Sequence, residues 1–340
     1  MKLHEIRDRF GLDQLGAAER PDPTPGPREA LVRVRAASIN YRDLLVIEGK
    51  YNPRMKLPRV PLSDGAGEIV AVGAEVDGWK AGDRVVLPFM PGWTEGPLTQ
   101  AKAGSALGGD VDGMLRELVT VEATALLPVP AHLDCVQAAT LPCAAVTAWN
   151  GLFVAGALTP GQTVLLQGTG GVSIFGLQLA KAAGARVIIL SSSDAKLERA
   201  RALGADETIN YQTQPDWDKT VLALTGGEGV DVTLEVGGAG TLGRTLKATR
   251  YGGRVSLIGV LSGIAGEVPI GPILHKMLHV DGIYVGSRAM FAEMNRFLVQ
   301  KRIEPLIDRV FDFDASPEAF RYFQQGAHFG KVAIRFAPAE

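Results

Sequence analysis

The sequence predicts an α/β protein in which a doubly wound, parallel six-stranded sheet follows a mainly β region. Before about residue 125, short segments such as residues 31–36 alternate apolar and charged side chains between Gly and Pro, as half-buried strands do. From about residue 126, strands alternate with helical patterns, which is typical of a parallel α/β sheet. The 340 residues also exceed the roughly 250 that a single core supports. Two domains are therefore expected.

The second half contains six segments that we predict to be strands of such a sheet. They are residues 163–167, 186–190, 207–209, 230–236, 254–259 and 280–285. A helix over residues 290–300 then leads to a strand-like tail, which we expect to rejoin the first domain. The predicted domains are residues 1–125, completed by residues 288–340, and residues 126–287, which form a dinucleotide-binding Rossmann domain.

Charge and composition indicate a small-molecule partner. The 35 basic and 37 acidic residues form no long runs, so the sequence offers no polybasic surface for nucleic acid or for anionic membranes. No apolar run approaches the roughly 18 residues of a membrane span, and the first residues lack the apolar core of a signal peptide. The two cysteines, Cys135 and Cys143, are too few for a disulfide framework. A cytoplasmic location is expected.

The strongest chemical signal is a glycine-rich turn between the first predicted strand of the sheet and the helix that follows it. Residues 164–173 read V-L-L-Q-G-T-G-G-V-S, in which Ser173 stands where the common G-x-G-x-x-G pattern has its third glycine. Backbone N–H groups at a helix N-terminus bind a pyrophosphate, and glycines allow it to approach closely. The expected pyrophosphate contacts are Gly168, Thr169, Gly170, Gly171 and Val172.

The end of the second strand indicates which dinucleotide binds. NAD enzymes usually place an acidic residue there for the adenosine ribose, whereas a 2′-phosphate requires hydroxyl groups and a cation. The sequence offers Ser191, Ser192 and Lys196, which favours NADPH. Asp194 could still bind the ribose, so NADH stays open.

Seven further motifs are distributed along nearly the whole chain. They are A-S-I-N-Y-R-D at 37–43, E-G-K-Y at 48–51, P-L-S-D-G-A-G-E at 61–68, K-A-G-D-R-V at 80–85, L-P-C-A-A-V-T-A-W at 141–149, G-G-R-V at 252–255 and G-K-V at 330–332. Together they resemble the medium-chain dehydrogenase/reductase superfamily, in particular its zinc-free quinone oxidoreductase-like branch. The resemblance implies that the first domain is GroES-like and that the cofactor binds in the cleft between the two domains.

The resemblance also allows a test for zinc. A catalytic zinc needs three protein ligands. The family's first ligand position falls near residues 39–41 and its second within residues 63–65, and neither stretch has a Cys or a His. Cys143 stands at the third position, and one thiol cannot hold the metal. The structural zinc lobe would need four cysteines within residues 89–113, which contain none. Neither zinc is expected.

Without zinc, a side-chain donor must stabilise the negative charge that hydride transfer leaves on the substrate oxygen. Tyr51 resembles the proton-donating tyrosine of zinc-free enoyl-thioester reductases, although it could instead only shape the pocket. Asn40 is the second candidate, as a neutral donor near the nicotinamide. The remaining expected contacts are with the cofactor at Thr147, Tyr211, Gly237, Ile258, Gly259, Val260 and Lys331, and with the substrate at Tyr41, Phe89, Met90 and Trp93.

The first functional hypothesis is an NADPH-dependent reductase that transfers hydride to a quinone or an α,β-unsaturated carbonyl without zinc. The alternatives are a zinc-free alcohol dehydrogenase or ketone reductase on the same scaffold, and a non-catalytic relative that only binds the cofactor. The fold does not decide between them, because function depends on the site. Pairing of the sixth strand across a two-fold axis would make the protein a homodimer or a homotetramer.

Overall fold

The computed structural model describes residues 1–336, and their contacts separate into two compact units. The first unit comprises Met1–Val146 together with the chain from Gly286 onward, and the second comprises Thr147–Val285. The boundary expected after residue 125 therefore lies too early. The short strand Leu127–Pro128 pairs antiparallel with Arg84–Val86, which holds this connection in the first unit.

The strands and helices follow in chain order. Strands β1 to β15 are Lys2–Ile6, Leu15–Glu19, Glu29–Ile39, Asp64–Val72, Arg84–Val86, Leu118–Glu122, Leu127–Pro128, Thr163–Gln167, Arg186–Ser191, Glu207–Asn210, Val230–Glu235, Thr249–Leu257, His279–Gly282, Ile307–Asp312 and Lys331–Arg335. Helices α1 to α11 are Tyr41–Ile47, Gln100–Ala103, Cys135–Ala138, Val146–Trp149, Gly171–Ala182, Asp194–Ala202, Trp217–Leu224, Ala239–Ala248, Gly271–His275, Arg288–Lys301 and Ser316–Gln324. Within residues 1–336, no helix has the length and apolar character that a membrane crossing requires.

The second unit is built on one parallel sheet with the strand order β10-β9-β8-β11-β12-β13. This confirms the doubly wound six-stranded sheet. The order reverses between β8 and β11, and ligands of such sheets bind at the carboxyl ends of the strands at this point. The last strand ends at Gly282 rather than at residue 285, because Val285 has a φ of +57° and leaves the extended conformation.

Helix α5 covers the middle of this sheet, which explains its apolar composition. Phe175, Leu177 and Leu179 are almost inaccessible to solvent. The chain leaves the helix at Gly184, whose φ of +81° is in the left-handed region that favours glycine at a helix C-terminus. The opposite end of α5 follows directly from the glycine-rich turn after β8.

The first unit contains a mainly antiparallel sheet with the order β14-β15-β3-β4-β5-β7, and β6 pairs with β3 outside this path. Strand β15, from near the end of the chain, runs antiparallel to β3 with Val332 opposite Ile39. This GroES-like domain is therefore discontinuous. The register brings Lys331 next to Asn40, the residue that follows β3.

Residues 89–113 are dense in Gly, Pro and small residues, which predicts a surface excursion, and this prediction is wrong at both ends of the segment. Phe89, Met90 and Trp93 are buried, and Gly113 packs directly on the preceding backbone. A β-carbon on Gly113 would lie 2.2 Å from the carbonyl oxygen of Leu62. The apolar residues at the start and the glycines near the end hold the segment against the unit, so only its middle part is exposed.

Candidate active site

The turn after β8 forms an open cradle, which we call the phosphate cradle (residues 168–172). Gly168 has a φ of +72°, so the turn itself requires a glycine there. Gly170 has a φ of −80°, which any residue adopts, and a β-carbon on it would meet nothing within 4 Å among the described residues. Neither backbone strain nor packing explains glycine at this position. A ligand that needs this space does explain it.

The first turn of α5 presents its N–H groups to this open space. Gly170 is the residue that precedes the helix, and as a glycine it has no side chain to accept a hydrogen bond from the first turn. Ser173 faces the other way, because its hydroxyl donates to the carbonyl oxygen of Gln167 at 2.6 Å. The serine at the third glycine position therefore braces the turn, and the cradle remains suited to an anion.

A buried carboxylate lies behind the cradle, in the stretch of residues 235–238 that was expected to line the cofactor groove. Glu235, at the end of β11, accepts hydrogen bonds from the backbone N–H groups of Gly237 and Gly238 at 2.8 and 2.9 Å. It also accepts from the side chains of Gln167, Thr241 and Thr245. Gln167 ends β8, so Glu235 joins the ends of the two central strands to helix α8. The only sequence signal for this network is a glutamate at the end of an apolar strand.

Two turns expected to contact the cofactor meet at this edge of the sheet. Gly259 packs on the turn after β11, since a β-carbon there would lie 2.1 Å from the carbonyl oxygen of Val236. Gly238, with a φ of +89°, lies against Val260 in the same way. The structure thus brings Gly237, Ile258, Gly259 and Val260 together. Thr147 is buried in α4 at the start of this unit.

The end of β9 carries the residues expected to distinguish the dinucleotides. Ser191 is buried and its hydroxyl accepts from the N–H of Ser193, while Ser192 is exposed. Tyr211 is next to them, since its N–H donates to the carbonyl oxygen of Ser191 at 3.0 Å. Lys196 lies in the first turn of α6, so the structure groups all four expected residues.

Asp194 was the residue that kept NADH open as the cofactor. Its carboxylate accepts a hydrogen bond of 2.7 Å from the side-chain amide of Asn210 at the end of β10. An Asp that binds an adenosine ribose needs its oxygens for the ribose hydroxyls. The bond to Asn210 competes with that role, and no sequence pattern indicated it.

In the first unit, Asn40 is surrounded by charged side chains, and we call Asn40, Asp43, Asp64 and Lys331 the amide cluster. The Lys331 side chain is only 2% exposed. Its ammonium group donates to the carbonyl oxygen of Ile39 at 2.9 Å and to the side-chain oxygen of Asn40. Asp64 lies 3.8 Å from the same ammonium. These contacts occupy the oxygen of the Asn40 amide.

The amide nitrogen of Asn40 has the opposite character. Asn40 is 7% exposed, and its Nδ2 has no hydrogen-bond partner among residues 1–336. A buried donor without an acceptor is costly by about 1–3 kcal/mol, so such groups are usually satisfied by something else. A substrate oxygen is an acceptor that would satisfy this N–H group.

Asp43 fixes the backbone beneath Asn40. Its carboxylate accepts from the N–H of Asn40 at 2.8 Å at the start of α1. Burial raises the pKa of Asp43 from 3.8 to about 6, against the opposing effect of Arg42, whose guanidinium lies 3.5 Å from the carboxylate. Asp43 was not among the expected site residues, although it lies in the N-Y-R-D motif.

Arg42 connects the expected proton donor with the expected pocket wall. Its guanidinium lies over the Tyr51 ring at 4.6 Å and over the Phe89 ring at 4.7 Å, and it donates to the carbonyl oxygen of Leu107. Tyr51 and Phe89 are thus brought together. The indole of Trp93 donates to the carbonyl oxygen of Gly96, as a local packing anchor does.

The other two expected pocket residues differ sharply in exposure. Met90 is buried, whereas Tyr41 is exposed at the first position of α1. Of the expected pocket residues, Phe89 is joined to Tyr51 through the Arg42 guanidinium.

Comparisons with known proteins identify the two domain types and the family of this chain. An alcohol dehydrogenase GroES-like domain model matches residues 26–131, and a zinc-binding dehydrogenase model matches residues 171–300. A zinc-type alcohol dehydrogenase-like protein of Schizosaccharomyces pombe is 44% identical over 333 residues, which cover 96% of each chain. The chain belongs to the medium-chain dehydrogenase/reductase superfamily.

Two further relatives show how widely named activities differ within this superfamily. A quinone oxidoreductase-like protein 2 homolog of Nematostella vectensis is 30% identical over 340 residues, which cover 97% of this chain and 85% of the relative. A crystal structure of an NAD-dependent alcohol dehydrogenase has a TM-score of 0.90 and 36% identity, covering 99% of this chain and 100% of that one. As a member of the superfamily, the chain is an NAD(P)-dependent oxidoreductase.

Zinc is implied by the name of one matching domain, and the side chains of this member do not fit it. The Asp64 carboxylate is already bound by the Ser63 hydroxyl at 2.7 Å and by the backbone N–H of Cys143 at 3.2 Å. Burial raises the pKa of the Cys143 thiol, which disfavours the thiolate that zinc requires. The Lys331 ammonium would repel a metal cation at Asp64. Through residue 336, no group of three or more His, Cys, Asp or Glu side chains could hold a metal.

Proposed function

We propose that this member of the superfamily is an NADPH-dependent reductase that transfers hydride to a quinone or an α,β-unsaturated carbonyl without zinc. The observation that carries the proposal is the buried Nδ2 of Asn40, which has no acceptor among the described residues while its Oδ1 is held by Lys331. This is the arrangement that an oxygen with developing negative charge requires. The same site shows no donor set for a Lewis-acid metal.

The phosphate cradle fits a dinucleotide. Gly168, Thr169, Gly170, Gly171 and Val172 would hold the pyrophosphate, and the turns at Gly237 and at residues 258–260 would line the nicotinamide end together with Thr147. Bound NADPH would supply the hydride. The hydroxyl groups of Ser191 and Ser192, with Lys196 and Tyr211, favour a 2′-phosphate. The bond from Asn210 to Asp194 supports NADPH over NADH.

The residues of the first unit would complete the reduction. When the acceptor gains a hydride, negative charge appears on its oxygen, and the N–H of Asn40 would stabilise it by a hydrogen bond. The Tyr51 hydroxyl would then deliver the proton, which solvent replaces, so that acceptor, NADPH and one proton give the reduced acceptor and NADP⁺. The Arg42 guanidinium, 4.6 Å from the centre of the Tyr51 ring, would hold this ring in place during the transfer.

An alcohol dehydrogenase or ketone reductase is the second candidate, and the names of two similar proteins favour it. A ketone also develops negative charge on oxygen, so Asn40 would serve this reaction as well. The third candidate is a cofactor-binding protein without activity. The three differ in what is turned over rather than in the fold.

The test uses the purified protein with NADPH or NADH and separate panels of quinones, enones, ketones and, with NADP⁺, alcohols. NADPH oxidation by quinones or enones is expected, and Asn40→Ala should lower kcat by about 10²-fold, the typical effect of removing one oxyanion donor. Asn295→Ala is the matched control, since Asn295 is also buried and lacks side-chain partners among the described residues, yet lies on α10. Turnover of ketones and alcohols alone would instead support the second candidate, and cofactor binding without any turnover the third.

A further inference from the structure

Lys331 was expected to contact the cofactor, but its ammonium group is used within the first unit. The side chain begins on β15 and is almost completely buried. Two of its hydrogen bonds go to acceptors at the end of β3, the carbonyl oxygen of Ile39 and the side-chain oxygen of Asn40. An ammonium group has three donors and no acceptor, so these bonds use most of its capacity.

These bonds determine which way the Asn40 amide points. Because an ammonium cannot accept a hydrogen bond, only the oxygen of the amide can face Lys331. The NH₂ group must then face the opposite direction, where it has no partner among residues 1–336. Without the lysine, the amide could rotate and present its oxygen to an incoming substrate oxygen, which would be repulsive.

The lysine also affects how strongly the amide donates. An ammonium hydrogen-bonded to the amide oxygen withdraws electron density through the conjugated amide group. The N–H groups of the amide then become better donors, as hydrogen bonds in a chain polarise one another. Burial strengthens the effect because the local dielectric is low. Asp64, 3.8 Å away, keeps the ammonium charge compensated.

We infer that Lys331 is a positioning residue for Asn40, which it orients and polarises, and that it is not a contact for a cofactor phosphate. The inference rests on the proposed function, because the amide must act on an oxygen that gains charge. It adds to that function a fixed positive charge, the Lys331 ammonium on β15. This charge acts on the substrate oxygen through the Asn40 amide.

The kinetic test compares Lys331→Met, Asn40→Ala and the double variant at saturating NADPH. Lys331→Met should lower kcat by at least about 10-fold, approaching the roughly 10²-fold loss of Asn40→Ala, while the Kd for NADPH changes less than about threefold. In the Asn40→Ala background the lysine substitution should have almost no further effect, because both act through one donor. The circular dichroism spectrum and the Tm of the whole protein show whether the variant is folded, and Lys331→Gln serves in its place if Lys331→Met does not fold.

Lys276→Met is the matched control, since Lys276 also donates to two backbone carbonyl oxygens, those of Lys247 and Thr249, but lies in the second unit. Its kcat should stay at the wild-type value. A Kd for NADPH raised about 10-fold or more by Lys331→Met with kcat unchanged would overturn the inference, because a phosphate contact predicts this result. Equal losses in kcat from Lys331→Met in the wild-type and Asn40→Ala backgrounds would overturn it as well.

A second measurement separates this inference from the proposed function. In ¹⁵N-labelled protein without cofactor, the side-chain NH₂ signal of Asn40 is assigned by its disappearance in Asn40→Asp. Lys331→Met should shift this signal, whereas Lys276→Met should leave it in place. If the shift is seen but no acceptor is reduced, the contact is right and the function is wrong. If the signal does not move, the positioning role is wrong whatever the activity.

Discussion

Asp43 couples the stability of the first unit to pH. Its carboxyl group is fully buried, and burial raises its pKa to about 6, with a smaller contribution from Asp64 and partial compensation by Arg42 and Lys331. Between the ordinary value of 3.8 and about 6, the folded state keeps a proton that the unfolded state releases. The free energy of unfolding therefore decreases as the pH rises through this window, and the decrease is complete above pH 6.

The Asp43→Asn variant should lose this pH dependence. The amide oxygen of the new side chain can still accept from the N–H of Asn40, but it has no proton to release. Relative to wild type, the variant should gain about 2.4 kcal/mol in the free energy of unfolding between pH 4 and pH 7, since each pKa unit corresponds to about 1.4 kcal/mol and a small part of the effect is already present at pH 4. Denaturant unfolding at several pH values measures the difference. A constant difference across this range would contradict the buried, proton-holding Asp43.

At the scale of elements, the residue that precedes α5, Gly170, has the backbone conformation of a helix cap. No described residue occupies the space that a side chain at this position would fill. Gly170 has extended dihedral angles of −80° and −175°, as residues that cap a helix do. A serine would adopt this conformation and accept a hydrogen bond from the first turn. The fold alone therefore favours serine over the glycine that is present.

Gly170→Ser should consequently change stability and cofactor binding in opposite directions. A new cap would raise the free energy of unfolding by about 0.3 kcal/mol, while the side chain would occupy the phosphate cradle and raise the Kd for NADPH at least about 10-fold. Thermal unfolding and fluorescence titration measure the two effects. Gly271→Ser is the control, because Gly271 is also near a helix start with no atom of the described residues within 4 Å of a β-carbon. Tighter NADPH binding in Gly170→Ser would rule out the cradle as the pyrophosphate site.

Local patterns were sufficient to predict the second unit's sheet but not the network that supports it. The central strands β8 and β9 are apolar runs followed by a glycine-rich turn or a helix, so their positions can be read from neighbouring residues. Glu235 receives donors from residues as far apart as Gln167 and Thr245. Such a network depends on tertiary packing, and a single glutamate at a strand end does not reveal it.

At the scale of the whole molecule, we propose that the chain forms a homodimer through the edge of the second unit's sheet. Strand β13 is the last in the sheet order, and among the described residues it pairs only with β12. Near it, Ile270, Leu274 and Met277 are 74%, 74% and 77% exposed. An open strand edge beside exposed apolar side chains is a surface that a second copy would cover, with the two β13 strands antiparallel about a two-fold axis.

Replacing both Ile270 and Leu274 with Asp should therefore produce a monomer of 36.1 kDa where wild type has twice that mass. Light scattering coupled to size exclusion measures the mass. Val299→Asp is the control, since Val299 is exposed on α10 in the first unit. A wild-type protein that is monomeric at micromolar concentration would refute the dimer.

Long-range pairing explains the main differences between the sequence-based expectations and the structure. The domain boundary was placed too early because Leu127–Pro128 pairs with a strand more than 40 residues before it, which no local pattern indicates. Residues 89–113 look like a loop by composition, yet the backbone around Leu62 accommodates their glycines. Asn40 and Lys331 were each singled out, but their contact depends on the antiparallel register of β15 with β3.

That register has a consequence for the order in which the protein is made. The ribosome adds Lys331 291 residues after Asn40, once the whole second unit has been translated. A nascent chain can complete its nucleotide-binding unit long before the lysine emerges, but the Asn40 side chain stays unoriented until then. Premature termination before β15 would thus yield a polypeptide that can bind the coenzyme while lacking the group that prepares it for chemistry.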